Sequence, residues 1–472
     1  MSSVLERLRR LQELRPQRKR PDPDAPIIRV PVVEEEYAPG EFLPLSQAAP
    51  GEVIENSGGL CYVRTVHYPL HELRGPRPLH ELLAHAPATF AAHHPNFALH
   101  DTLDFRQAAF LDTETTGLGG GAGVYAFMIG VGTFEVQNAE YGVRNEDSAP
   151  GMPHSTLPTA RLSSPKSPHS FTVRQFFMRN PAEEVAALVA VAELLANCTL
   201  SVTFNGRSFD LPLLRARLQH NRRLLPFLPR EVTLLGEDQP HLDLLYPARR
   251  LWKRRLQSCR LIHLEQTVLG LRRSHEDVPG HLIPMLYNDY VHTGNAQAMR
   301  RVFYHNAEDI VSMVALADQL SRAFGENTAA AREVDLIGQD WLALGQSYER
   351  VERWAEAEAA YTRALEQVGD AAARAAVFAN LGQLQKRQGN WPAAAATWER
   401  WLTSVSGVDS TPYEELAKYC EWQINDLEQA IIWTSWALHT LRTAQPWQRS
   451  PGQVEALEHR LARLQRKNKT SE

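Results

Sequence analysis

The stretch Ala108-Ala109-Phe110-Leu111-Asp112-Thr113-Glu114-Thr115-Thr116-Gly117-Leu118 decides the fold class. Its first four residues are apolar and turn-forming residues follow them, which is typical of a short buried strand. Side chains two positions apart on a strand share a face, so Asp112 and Glu114 should lie together at its end. Two carboxylates this close repel one another unless a cation lies between them, and oxygen ligands suit Mg²⁺ or Mn²⁺. For this pair alone, two solvated surface acids are the alternative.

Two further acidic motifs follow along the chain. Asn205-Gly206-Arg207-Ser208-Phe209-Asp210 places Asp210 in the first turn of a predicted helix, directly after a predicted strand. Asp210 can therefore reach the sheet end that carries Asp112 and Glu114. Tyr304-His305-Asn306-Ala307-Glu308-Asp309 supplies a last aspartate on a later helix. Phe209, beside Asp210, is expected to be a core residue.

These three motifs, in this order, resemble those of the DEDD exonucleases, which have a ribonuclease-H-like fold. The nearest resemblance is to the YprB-like ribonuclease-H-like family, from about Gly51 through Leu320, including Gln175-Phe176-Phe177, Leu242-Asp243-Leu244 and Pro279-Gly280. The resemblance implies a divalent-metal-dependent 3′–5′ exonuclease that cleaves a single-stranded end of DNA or RNA. Two Mg²⁺ or Mn²⁺ ions, about 4 Å apart, would activate water and offset the charge on the phosphate. Their ligands would be Asp112, Glu114, Asp210 and Asp309. The alternative is a non-catalytic scaffold, binding nucleic acid or protein, built on a drifted nuclease fold.

The third motif departs from the family in the position of the general base. The tyrosine branch of the family has its base four residues before the last aspartate, and the histidine branch has it five before. Here His305 lies four before Asp309 and Tyr304 lies five before. Helical residues four apart share a face, whereas residues five apart diverge by about 140°. A neutral imidazole also accepts a proton near pH 7 more readily than a phenol does. His305 is therefore the predicted base.

Composition indicates an ordinary globular chain of about two or three domains. The 472 residues contain 43% hydrophobic and 22% charged side chains with a net charge of −5, so nucleic-acid binding would need local basic patches. Four scattered cysteines without a C-x-x-C pair argue against zinc binding or a disulfide framework and fit a reducing compartment. The sequence has no stretch typical of a membrane span or signal peptide, so we expect a cytoplasmic protein without a membrane partner.

Changes in composition divide the chain into five segments. Residues 1–50 are predicted to be a basic, proline-rich tail, and residues 51–100 an N-terminal segment with a β-hairpin. Residues 101–325 are predicted to form the α/β ribonuclease-H-like domain, a mixed sheet flanked by helices, with a flexible insertion at about 138–170. Residues 330–445 and 446–472 are predicted to be tetratricopeptide-like repeats and a capping helix with a tail.

The prediction of repeats is based on small and aromatic residues at tetratricopeptide spacings. Gly345 and Gly382 are predicted to let paired helices pack closely, with aromatic side chains filling the spaces between them. Such an all-α array usually binds a protein or peptide on its concave surface. The alternative is that it packs on the nuclease domain and shapes it.

Two other features have alternative interpretations. The glycine-rich stretch 117–123 is predicted to be a hairpin loop that lets substrate approach, although a nucleotide-binding loop is the alternative. Residues 248–270 are predicted to be mostly helical and strongly basic, and a solvated charged face is the alternative to nucleic-acid binding. The predicted nucleic-acid contacts are Asn205, Arg249, Arg250, Lys253, Arg254 and Arg255.

Overall fold

A computed structural model describes residues 42–91, 98–117, 123–136, 168–225, 233–325, 334–405, 409–445 and 452–470. Every element below lies in one compact unit, Leu43–Glu472. Residues 1–41 of the predicted basic tail, most of the predicted glycine-rich loop and most of the predicted insertion lie outside the described residues. The end of the predicted tail is not irregular throughout, because it contains the short helix Leu45–Ala48, whose buried residues join the core.

Seven strands form one mixed sheet in the order β1-β2-β7-β6-β5-β8-β9. The strands in chain order are β1 Glu52–Asn56, β2 Gly59–Pro69, β3 Leu73–Arg74, β4 Arg77–Pro78, β5 Ala108–Thr115, β6 Ala126–Val136, β7 Pro168–Phe177, β8 Leu200–Thr203 and β9 His241–Asp243, of which β3 and β4 pair separately. β5 is antiparallel to β6 and parallel to β8, which confirms the predicted mixed sheet. The predicted N-terminal hairpin is part of this sheet, because β2 pairs with β7.

Helices flank the sheet and then continue as an all-α array. Those of the sheet region are α1 Leu45–Ala48, α2 Glu184–Leu195, α3 Asp210–His220, α4 Leu245–Trp252, α5 Leu261–Leu264, α6 Ile283–Thr293 and α7 Met299–Phe324. Those of the array are α8 Gly338–Arg350, α9 Trp354–Gln367, α10 Ala371–Arg387, α11 Trp391–Ser404, α12 Thr411–Trp422, α13 Leu427–Thr443 and α14 Gln453–Lys469. No helix within the described residues is long and apolar enough to cross a membrane.

The two faces of β5 enter different cores, as the alternation of a strand requires. Ala108 and Phe110 pack in the core on the side of α7, whereas Ala109 and Leu111 pack in the core that contains α2. The next even-numbered residue, Asp112, therefore continues the face that looks toward α7.

Two glycines of β6 allow α7 to approach the sheet closely. A Cβ on Gly130 would collide with the side chains of Asn306 and Ile310, and one on Gly132 would collide with Ile310 and Phe171. A larger residue at either position would therefore force these buried side chains to move. A glycine inside a strand commonly marks such an approach of another element.

The first helix pair of the array packs directly on the sheet region. Trp341 and Tyr348 of α8 share one hydrophobic core with Trp252 of α4 and Phe324 of α7. The hydroxyl of Tyr348 also donates a hydrogen bond to the carbonyl of Ala323 at 3.1 Å. The array is thus an extension of the same core, which favours the alternative that it shapes the domain before it.

Close packing within the array matches the glycine prediction. A Cβ on Gly345 would collide with the ring of Tyr361, and one on Gly382 with the indole of Trp398. Both aromatic rings are fully buried. The glycines therefore provide the space into which these large rings pack.

The predicted helix at residues 248–270 is interrupted. α4 ends at Trp252, and the next helical residue is Leu261, where α5 begins and continues as a π-helical turn over Glu265–Leu269. Trp252 and Leu264 are both buried in one core, whereas the charged segment between them includes exposed cations. The basic stretch therefore follows the surface instead of forming one straight helix.

Replacing Gly130 with alanine should destabilise the fold, because the added methyl group would collide with the buried side chains of Asn306 and Ile310 on α7. We expect a loss of about 1–3 kcal/mol in the free energy of unfolding, measured by chemical denaturation. Gly369→Ala is the matched control, since a Cβ there meets no atom within 4 Å. Equal stability of the two variants would contradict this account of the close approach.

Two truncations should show which helices of the array the sheet region needs for its stability. Removing residues 327–472 exposes Trp252 and Phe324, so we expect aggregation or loss of cooperative unfolding. Removing residues 409–472 leaves the first two helix pairs in place, and the remaining chain should fold with a cooperative thermal transition. Circular dichroism melts of both truncated chains provide the measurement, and a stable 327–472 deletion would contradict the shared core.

Candidate active site

The four predicted metal ligands, which come from all three motifs, line one cavity of about 940 Å³. Asp112 and Glu114 lie on β5, Asp210 begins α3 and Asp309 lies on α7. The cavity also borders Thr113, Asn205, Phe209 and Gly280 among other residues. The structure thus brings together four acids that are spread over the sequence from Asp112 to Asp309.

A chain of buried amides orients Asp112. The side-chain nitrogen of Asn306 donates to Asp112 Oδ2 at 2.8 Å, and Gln175 Nε2 donates to Asn306 Oδ1 at 2.9 Å. Gln175 also donates to the carbonyl of Phe303 at 2.7 Å. Gln175 and Asn306 are both fully buried, so the sheet and α7 together fix the rotamer of this carboxylate.

Asp210 is held by the strand that carries the first motif. The backbone N–H of Thr113 donates to Asp210 Oδ1 at 3.1 Å, and the Thr113 hydroxyl donates to the same oxygen at 2.5 Å. This contact ties the start of α3 to β5. It leaves the other carboxylate oxygen of Asp210 without a hydrogen bond from Thr113.

Negative charge accumulates in the cavity. Burial raises the pKa of Asp112 well above its ordinary range, and the charges of Asp309, Glu114 and Asp210 raise it further. Burial also raises the pKa of Glu114 to about 8 and that of Asp210 to about 6. The unprotonated carboxylates are therefore costly here, and a cation near them would relieve that cost.

Asp309 differs from the other three acids because an arginine is bound to it. Arg273, in the segment after the π-helical turn, forms an ion pair with Asp309 and a second one with Glu265 at 2.6 Å. Burial alone lowers the pKa of Arg273, but Asp309 and Glu265 outweigh it and raise the pKa. Arg273 therefore stays charged and neutralises part of the negative potential.

His305 is fixed beside Asp309 by a second acid. Its Nδ1 lies 2.7 Å from Asp277 Oδ1, and its Nε2 lies 3.7 Å from Asp309 Oδ2. Burial lowers the pKa of His305, but Asp309 and Asp277 outweigh that effect and raise it to about 9. In this charge environment the imidazole is protonated at neutral pH, whereas a base must be neutral. A divalent cation next to Asp309 would lower the pKa again.

Tyr304 points away from this arrangement. Its hydroxyl accepts a hydrogen bond from the backbone N–H of Ser274 at 3.1 Å, and Tyr304 does not line the cavity. The divergence of Tyr304 and His305 follows the helical geometry used in the sequence prediction.

The four acids have the donor atoms that a hard divalent cation prefers, but their side chains are not arranged as a metal-binding group. All are oxygen donors on one cavity, and three of them have raised pKa values. Over the described ranges, however, no group of three or more histidine, cysteine or acidic side chains is arranged to hold a metal ion. Asp112, Glu114 and Asp210 therefore fit a divalent cation by their donor type, whereas Asp309 would have to share its charge with Arg273.

The expectation that Phe209 is a core residue is wrong. Its side chain is 61% exposed and lines the cavity, whereas the neighbouring Leu211 is buried. Phe209 precedes the first residue of α3, where the chain turns outward, so no face of a helix or strand directs it into a core.

Asp243 has a structural role beside the cavity. Its carboxylate, fully buried, accepts backbone N–H groups of Asn205 at 2.7 Å, Arg207 at 3.1 Å and Leu245 at 3.1 Å. Asn205 has a φ of +67°, a conformation that asparagine tolerates better than most residues. Asp243 thereby fixes the turn after β8 and the start of α4.

The predicted basic contacts fall on two sides of their segment. Arg249 and Lys253 line a second cavity of about 660 Å³, together with Arg260. Arg250 is half-buried, and burial lowers its pKa to about 10 with a further contribution from the charge of Arg350.

The other two predicted contacts face the helical array. Arg254 donates to Gln346 Oε1 at 3.0 Å, and Arg255 lies 3.3 Å from Asp340 Oδ2. Asp340 is fully buried in α8, so its charge is balanced within the protein by Arg255. These two arginines therefore connect α4 to the array.

Several residues of the site were not identified from the sequence. Arg273 and Asp277 lie outside the three acidic motifs, and Gln175 belongs to a stretch that the resemblance includes without giving it a role. Only folding places these residues beside Asp112 and His305. Asn306 lies inside the third motif, but its contact with Asp112 depends on how α7 crosses the sheet. Gly130 could have indicated this crossing from the sequence, because a glycine within a predicted strand often marks the close approach of another element to that strand.

Comparisons with known proteins agree with this fold. The model of a family described as RNase_H superfamily matches residues 159–321. That span contains Asp210 and Asp309 and begins after Asp112 and Glu114. The chain is also 28% identical over 413 residues to "Uncharacterized protein YprB" from Bacillus subtilis (strain 168), covering 86% of each protein. Residues 159–321 are therefore similar to the RNase H superfamily, and the chain has a relative that is similar over most of its length.

Proposed function

We propose that this protein is a divalent-metal-dependent exonuclease that removes nucleotides from a single-stranded 3′ end. The observation that carries the proposal is the meeting of four acids from three separated motifs in one cavity. An RNase H superfamily domain suggests a nuclease, and the order of the motifs resembles that of the DEDD exonucleases. The direction of digestion rests on this resemblance alone.

Asp112, Glu114, Asp210 and Asp309 are the residues that would hold the metal. Bound Mg²⁺ or Mn²⁺ ions, two by the resemblance, would supply charge neutralisation and Lewis-acid chemistry at the scissile phosphate. Asn306 and Thr113 keep two of these acids in position through the hydrogen bonds described above. In the reaction, water attacks phosphorus, the bond to the 3′ oxygen of the preceding nucleotide breaks, and that oxygen takes up a proton.

His305 is proposed to receive the proton that the attacking water loses. Its Nε2 is the nitrogen nearer to Asp309, and Asp277 occupies its Nδ1. Orientation by a carboxylate of this kind fixes which ring nitrogen is available for proton transfer. Tyr304 has no comparable position, because its hydroxyl is bound by Ser274.

A non-catalytic scaffold that binds nucleic acid is the second candidate. The ion pair between Arg273 and Asp309 favours it, since an arginine already neutralises the last acid of the set. The surface of the helical array is a place where such a scaffold could also bind a protein or peptide. Metal-dependent stabilisation separates the two candidates, because a scaffold with an internal counter-charge has no need of a cation.

Neutralising two of the acids tests the metal site directly. Asp112→Asn and Asp210→Asn should each abolish hydrolysis of labelled single-stranded DNA and RNA, and they should reduce the rise in melting temperature caused by Mn²⁺. Because burial raises the pKa of both acids, the charged forms destabilise the fold at pH 7. Both variants should therefore melt no lower than the wild type without metal. Hydrolysis that survives in both variants would contradict the proposal.

Substitutions in the third motif test the base. His305→Ala should reduce the hydrolysis rate about a hundredfold or more, while its melting temperature with Mn²⁺ still rises. Tyr304→Phe is the matched control on the same helix, and its rate should change little. Single-turnover rates at saturating metal provide the comparison. A larger loss for Tyr304→Phe than for His305→Ala would reverse the assignment.

A further inference from the structure

A basic groove adjoins the carboxylate cavity. We define the basic groove as the 660 Å³ cavity that Arg249, Lys253 and Arg260 line, with Ser258 and Cys259 between them. Its other lining residues are Phe204, Asn205, Leu245, Leu256, Gln257 and Leu261. No aspartate or glutamate is among them, so nothing in the lining neutralises the three cations.

These three cations have no structural task within the described residues. All are exposed, and the described part of the chain contains no ion pair between any of them and a carboxylate. Arg254 and Arg255 of the same segment differ, because they contact Gln346 and Asp340 of the array. The segment therefore has one side that is used for packing and another whose charges face solvent.

The groove and the carboxylate cavity meet at one turn. Phe204 and Asn205 line both of them. Asp243 holds the backbone of that turn through Asn205 and Arg207, so the two cavities keep a fixed relation. A ligand that occupies both cavities must be long enough to pass this turn. The part of it that lies in the basic groove, away from the acids, must be negatively charged.

We propose that the basic groove binds the phosphodiester backbone of a single-stranded nucleic acid, upstream of the nucleotide that lies in the carboxylate cavity. This inference rests on the proposed function for the identity of the polymer. Arg249 and Lys253 are one helical turn apart and share a face, while Arg260 follows on the segment that returns to the core. Side chains that project into one groove can contact successive phosphates of a strand whose bases are unpaired. Contacts of this kind bind without regard to sequence.

A charge-neutralising variant tests the groove. Arg249→Gln, Lys253→Gln and Arg260→Gln are combined in the full-length chain, and binding of a labelled single-stranded oligonucleotide is measured by fluorescence anisotropy with EDTA present. Loss of three phosphate contacts should reduce the slope of log Kobs against log salt by about 2. The affinity at low salt should fall about tenfold or more.

The matched control removes three charges elsewhere. Arg466→Gln, Lys467→Gln and Lys469→Gln neutralise three exposed cations on the last helix and produce the same change in net charge. Affinity and salt slope in this control should equal those of the wild type. Equal behaviour of the groove variant and the control, with both melting like the wild type, would overturn the proposal.

Three nucleic-acid arms identify the ligand. Single-stranded DNA and single-stranded RNA should both lose affinity in the groove variant, because the phosphates are common to them. Blunt duplex DNA should bind more weakly to the wild type and should respond little to the substitutions. An equal loss for the duplex would overturn the assignment to single strands.

Cys259 provides a second measurement without any substitution in the groove. Its half-buried thiol lines the groove, whereas Cys198, also half-buried, lines neither the groove nor the carboxylate cavity. A bound strand should slow maleimide alkylation of Cys259 severalfold, as followed by mass spectrometry, and leave Cys198 unchanged. Unchanged alkylation of Cys259 under saturating oligonucleotide would overturn the proposal.

The anisotropy and alkylation measurements both follow binding without metal. A wild-type protein that binds the oligonucleotide but does not hydrolyse it would therefore contradict the proposed function and leave the groove proposal standing.

Discussion

The candidate site depends on how closely α7 packs against the sheet. Gly130 and Gly132 leave room for Ile310 and Asn306 against β6, and only at that distance can Asn306 reach Asp112 on the neighbouring strand. The same helix places Asp309 on the cavity wall and His305 directly beside Asp309. Packing and chemistry are therefore coupled, because a change that moves α7 from the sheet also separates the last motif from the first. This explains why a buried amide chain, which contributes little by itself to hydrophobic burial, lies at the centre of the domain.

Charge is distributed in two neighbouring cavities of opposite sign. Four acids line one cavity, while three cations and no acid line the other. The turn at Asn205, held by the buried carboxylate of Asp243, stands between them. Arg273 and His305 contact Asp309 from beside the carboxylate cavity and offset only part of its negative charge, so three of the acids keep raised pKa values. An anionic polymer would be repelled from the acids and attracted by the cations next to them, so cation binding at the acids and strand binding in the groove would support one another.

The helical array is bound into the same core as the sheet region. Trp341 and Tyr348 cover Trp252 and Phe324, and Arg255 balances the buried charge of Asp340. A repeat array that served only as a separate binding module would need no such contact. The first helix pair therefore helps to hold α4, and with it the basic groove, in place. The later helices, with their own smaller cores, remain available for another role.

The sequence by itself determined the mixed sheet and the helical array, because these depend on local patterns of apolar runs and alternation. Motif order, read through the family resemblance, predicted the four acids as one group. It also indicated that His305 and Tyr304 diverge, since helical geometry is local. It did not determine that Phe209 is exposed, that the basic segment is interrupted, or that Arg273 is bound to Asp309. Those features depend on contacts between residues far apart in the chain, and no spacing records them. The basic residues divide between the groove and the array for the same reason. Only the packing of the whole chain decides which side of their segment contacts another element.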